Sequence, residues 1–189
     1  MSTNHQVQPV SLKEAVIKGL AADNGLFMPE RIYKFDPGFF RWIDRLSFQE
    51  ISFEVALKFF GDKIDPYQLK NIVYDTLSFD CPVVQVSPDI WSLELVHGPT
   101  LAFKDVGARF MARLLRYFLG KNEHRVNVLV ATSGDTGSAV ANGFLGVEGI
   151  QLQTAQANPW LLVLSQPHVE LRDIRVRWRD ELGVIPDLT

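Results

Sequence analysis

The sequence predicts an α/β protein, with a helical N-terminal unit followed by a parallel α/β segment. Three observations carry this. Residues 11–77 show helical periodicity behind repeated capping signatures. The β-branched run Val126-Asn127-Val128-Leu129-Val130-Ala131 leads into a glycine-bearing turn and then a small-residue stretch, Ser138 to Phe144. Upstream, strand-like segments precede a turn and a long amphipathic helix. The alternation of strand, helix, strand, glycine loop and helix is how a parallel α/β sheet is written.

Taken in order, SLKEAVIKGL (11–20) reads as a helix with Ser11 as N-cap and Glu14 closing a capping box. Its apolar stripe is Leu12, Ala15, Val16, Gly19 and Leu20. Asp23-Asn24-Gly25 is a turn, and Leu26-Phe27-Met28 before Pro29 is expected to plug against the core. A second box, Ser47 with Glu50, opens SFQEISFEVALKFF. Asp65-Pro66 starts a third helix, with proline at the first helical position. Leu69, Ile72, Val73 and Leu77 give that helix its buried face. After Pro82, residues 82–86 and 90–95 read as short strands around Ser87-Pro88-Asp89. Val106, Phe110, Met111, Leu114, Leu115 and Phe118 then repeat at the three- and four-residue spacing of one buried helix stripe.

The totals narrow the classes. The chain has 189 residues, 47% hydrophobic and 22% charged, enough to bury a substantial core. A net charge of −3 gives no basic footprint for nucleic acid. One cysteine, Cys81, excludes an internal disulfide framework and a four-cysteine zinc site. No metal is expected, since His5, His97, His124 and His168 lack ligand spacing. His97 beside Gly98-Pro99 either borders a pocket or stabilises the turn. The N-terminus lacks a signal pattern and no apolar run is long enough to span a bilayer, so a cytoplasmic setting without a membrane partner is expected.

The chemistry centres on HGPTLAFKDVGAR (97–109). Lys104 follows the apolar triplet Leu101-Ala102-Phe103 and opens the amphipathic helix. The positive end of a helix and an apolar setting both disfavour an ammonium ion. They push toward the neutral amine that attacks a carbonyl to form a Schiff base. The competing reading is a lysine whose stem lies on the surface while its head reaches water. Ser133, Gly134, Asp135, Thr136 and Gly137 form the second feature, a strand-to-helix turn whose N–H groups suit a carboxylate or phosphate. It is neither GxxxxGK[ST] nor GxGxxG, and an ordinary capped βα turn would also fit. Together, a nucleophilic amine and an anion cradle at the carboxyl ends of parallel strands suit an aldehyde cofactor handling an amino acid.

HGPTLAFKD with VLVATSGDTGSAVANGF resembles threonine synthase, a pyridoxal-phosphate enzyme of the tryptophan-synthase-β type of fold. SLKEAVIKGLAADNGLFMPE and LSFQEISFEVALKFF resemble that family's helical N-terminal domain, so the likeness covers roughly residues 3–150. It implies that Lys104 forms the Schiff base with pyridoxal 5'-phosphate and shuttles protons. Ser133, Asp135 and Thr136 would lie by the cofactor, and Ser133 through Gly137 would hold the substrate carboxylate. Thr100, Phe103 and Asp105 flank the lysine and would shape the pocket. The implied reaction converts O-phospho-L-homoserine and water to L-threonine and phosphate. Alternatives are a fold-related lyase or dehydratase acting on serine or threonine, and a non-catalytic module binding a small anion.

The resemblance divides the chain into a helical domain (1–80), the first part of an α/β cofactor domain (81–150) and a divergent tail (151–189). The tail has no Lys, Phe or Tyr, and its Arg172, Arg175, Arg177 and Arg179 are offset by five acids. Residues 161–164 are a strand candidate, and 169–184 fit either strand or helix. Nothing in the tail resembles the family's loop for the cofactor phosphate. The expectation is an incomplete α/β sandwich from a truncated or frame-shifted chain, with weak or no cofactor binding.

Overall fold

A computed structural model describes residues 1–120, 126–132 and 135–156. Within them lie α1 (Leu12–Lys18), α2 (Phe48–Phe60), α3 (Pro66–Thr76), β1 (Val83–Ser87), β2 (Ile90–Leu93), α4 (Lys104–Leu119), β3 (Val126–Thr132), α5 (Asp135–Phe144) and β4 (Ile150–Gln156). The tail elements expected at 161–164 and 169–184 lie outside the described residues.

Local signals are realised with small differences. Ser47 and Glu50 form the full reciprocal capping box of α2. Asp65 caps α3 by accepting from the Gln68 N–H, with Pro66 in the first turn. At α1 only half of the expected box forms. Ser11 accepts from the Glu14 N–H, while the Glu14 carboxylate turns to Lys18 at 2.7 Å. The Asp23 carboxylate gathers the N-terminal segment, accepting from Ser2 Oγ (2.7 Å) and the backbone N–H groups of Gln6 and Gly25. Leu26 and Met28 do not plug the core. They are exposed, because residues 1–3 and 26–28 exchange backbone bonds at the surface.

Leu69, Ile72, Val73 and Leu77 are buried as the periodicity predicts, in a cluster with Ala56, Ile64 and Leu114. That cluster joins α2 and α3 to α4, so the helices and the α/β segment share apolar packing. On α4 the expected stripe faces inward except at Met111: Val106, Phe110 and Phe118 pack against that cluster, and burial extends beyond the stripe. Ala112, Leu114, Leu115 and Leu119 are buried, and Met111 is exposed. A second cluster sets Ala112, Leu115 and Leu119 against Phe144, with Val126, Val128 and Ile150 beside it.

The sheet topology corrects one expectation. β1 and β2 do not join the parallel sheet among the described residues. They form an antiparallel hairpin, with Val83 opposite Leu93 and an irregularity between Gln85 and Ser87. Val83, Val86, Ile90, Trp91 and Leu93 on it are all exposed. The parallel pair is β3 with β4, in register from Val126 opposite Ile150 to Thr132 opposite Gln156. β4 falls where the sequence pattern marks no strand beyond the alternation of Ile150 and Leu152 with Gln151 and Gln153.

Candidate active site

Lys104 is the first residue of α4, as the sequence predicts. The helix starts without a side-chain cap at Phe103, and the N–H of its second residue, Asp105, goes to the Ala102 carbonyl instead. Lys104 is half-buried, and its Nζ lies 4.9 Å from the centre of the exposed Phe103 ring.

The turn leading to it is tightly held. Leu101 donates its N–H to the Gly98 carbonyl at 3.0 Å, and Asp105 donates its own to Ala102. Leu101 has φ 56°, the left-handed region, with its side chain in solvent. For a residue with a γ-branch this conformation costs about 1–2 kcal/mol. Asp105 has no exposed surface. Its carboxylate accepts from the Thr100 N–H (2.9 Å) and the Thr100 hydroxyl (2.7 Å). Gly98 is buried against the same carboxylate, and a Cβ there would lie 2.5 Å from Oδ2. His97 is exposed and bonds Glu94 at 2.8 Å, which favours the turn-stabilising reading.

Three arginines fasten the rest of α4. Arg109 donates to the carbonyls of Thr76 (3.0 Å) and Asp75 (2.7 Å) and to Ser78 Oγ, closing the end of α3. Burial lowers the Arg109 pKa from its ordinary value, and Arg113 adds to that, while Asp75 and Asp105 oppose it. Arg113 pairs with Asp75, and Arg116 pairs with Glu148 and donates to the Gly120 carbonyl.

The second feature sits at the start of α5, behind β3. Asp135 is the first residue of that helix, Thr136 is half-buried and Gly137 is buried. Ser133 and Gly134 lie outside the described residues. The helices bearing Lys104 and Thr136 touch where Gly143 meets Ala108. A Cβ on Gly143 would lie 2.9 Å from the Ala108 carbonyl carbon. Periodicity alone did not find Gly143, although a glycine late in a small-residue helix is a usual sign of close helix contact.

On this fold, a lysine at one helix start with a βα turn heading the next places the described part of the chain in the tryptophan-synthase-β type of α/β architecture. The comparisons then name a family. Residues 1–77 match the family described as "Threonine synthase N terminus". The chain is 40% identical to the threonine synthase of Escherichia coli over 145 residues, 77% of this chain and 33% of that one. Against the Escherichia coli crystal structure the TM-score is 0.71. The pyridoxal-phosphate-bound threonine synthase from Brucella melitensis gives 0.78 at 32% identity, covering 84% of this chain and 35% of that one. The chain therefore resembles threonine synthase through its N-terminal three quarters, and it spans about a third of the length of these relatives.

Proposed function

We propose that Lys104 is the amine that takes the aldehyde of pyridoxal 5'-phosphate, in a reaction of the threonine synthase kind. The carrying observation is the place of Lys104: first in α4, half-buried, at the end of a tightly bonded turn. The donor chemistry fits the cofactor, since a primary amine is what an aldehyde requires. In this reading the substrate is O-phospho-L-homoserine, and the products with water are L-threonine and phosphate. Bound pyridoxal phosphate supplies an electron sink for carbanions formed next to the substrate amine. Lys104 binds the cofactor and, once displaced by substrate, holds and returns protons at Nζ. Thr136 and the N–H groups at the start of α5 hold the substrate carboxylate, together with Ser133, Gly134, Asp135 and Gly137. Thr100 and Phe103 border the lysine. The division into a helical domain and an α/β domain from residue 81 belongs to the same proposal. A tail beginning at 151 does not hold, because β4 carries the α/β part to Gln156.

The test is titration of the purified chain with pyridoxal phosphate, borohydride reduction and peptide mapping. Reductive labelling concentrated at Lys104, even at weak affinity, supports the reading. Labelling spread evenly over the eight lysines, as for any exposed amines, sinks it.

A further inference from the structure

We infer that Asp105 is a positioning residue whose buried carboxylate, clamped on Thr100, fixes where Lys104 is presented. The inference rests on the proposed role of Lys104 and adds what holds that lysine in place.

Successive residues of a helix point about 100° apart around its axis. Pinning the side chain of one residue in the first turn therefore fixes the rotational phase of its neighbour. Asp105 is pinned by two bonds to one residue, from the Thr100 N–H and the Thr100 hydroxyl. Its carboxylate is held in the interior against Gly98, where no other residue type leaves room. With Asp105 fixed inward, Lys104 must leave the helix toward the half-open side. The clamp also offsets the left-handed conformation of Leu101, because both of its ends, Gly98 to Thr100 and Asp105, bracket that residue. A buried carboxylate with two short bonds, an adjacent glycine and a strained residue between its partners is more than a helix start needs, as α2 shows with an exposed cap.

The experiment compares competitive acylation of the lysines by acetic anhydride, as a function of pH, in the parent chain and in Thr100→Val, Thr100→Ser and Asp105→Ala. Far-UV circular dichroism establishes that each is folded. The expected result is a change of about tenfold in the rate at Lys104 in Asp105→Ala, and a smaller one in Thr100→Val. Lys63 and Lys70 should keep their rates, and Thr100→Ser should restore the parent profile at Lys104. If Asp105→Ala does not fold, Thr100→Val and its serine rescue decide. An unchanged Lys104 profile in the folded variants overturns the inference, as does an equal change at all three lysines. Acylation needs no cofactor, so failure of the pyridoxal phosphate labelling would overturn the Schiff-base reading without touching this one.

Discussion

At the start of α2, the Glu50 carboxylate accepts from the Ser47 N–H (2.7 Å) and the Ser47 hydroxyl (2.8 Å) in open solvent. At the start of α4, the Asp105 carboxylate accepts from the Thr100 N–H and hydroxyl at nearly the same distances, with no surface exposed. The donors are chemically alike, but one pair is a reciprocal cap and the other a clamp across the Leu101 turn, and the depth differs. In water, each bond replaces one to solvent and its net worth is small. In the interior, a lost partner leaves a polar group with nothing to bond. The exposed cap sets where a helix begins. The buried clamp, which is not a cap, sets which way the first residues of its helix face.

That contrast breaks most sharply at Asp105. Replacing it by Ala leaves the Thr100 N–H and hydroxyl without their acceptor and opens space, so unfolding in urea should show a loss of about 2–4 kcal/mol. Gly98→Ala keeps the carboxylate but crowds it, and should cost about 1–3 kcal/mol by the same measurement. Ser47→Ala should cost about 1 kcal/mol, the usual worth of an exposed N-cap. A Ser47→Ala loss equal to that of Asp105→Ala would remove the distinction drawn from depth.

The smallest effect is one of pH. The Ser47 N–H, then the Ser47 hydroxyl, lower the Glu50 pKa from 4.5. A group with a depressed folded pKa contributes stability above its unfolded value, and that contribution is lost as pH falls through the folded one. Melting temperatures taken from about pH 6 down to about pH 3 should therefore fall less steeply in Ser47→Ala than in the parent. Asp23, lowered chiefly by the Ser2 hydroxyl, adds to the same acid-side loss in both and cancels in the comparison.

What the sequence revealed follows from how local each cause is. Asp65-Pro66 and the Leu69, Ile72, Val73, Leu77 stripe act within a few residues, and α3 emerged as read. Lys104 at a helix start was legible for the same reason. The α4 stripe holds except at Met111, which is exposed, and burial extends to Ala112 and Leu119 because Phe144 of α5 packs on that side, which no local pattern reveals. β4 was missed because its partner, β3, lies some twenty residues earlier, and strand pairing is decided by that partner more than by propensity. The hairpin β1–β2 was visible as two strands, but nothing local says which sheet a strand joins. In the site, the sequence marks Asp105 only as a flank of the lysine. Its bond to Thr100 depends on Leu101 adopting a conformation that a leucine gives no reason to expect.

Leu101 has an evolutionary consequence. Its side chain touches solvent while its backbone carries strain, so replacement by Asn, which tolerates that conformation, should raise stability by about 1 kcal/mol. Saturation mutagenesis of codon 101 selected only for heat resistance should recover asparagine there. Lineages under selection for the site alone would have no cause to change it, so the residue standing at 101 records which pressure the chain has been under.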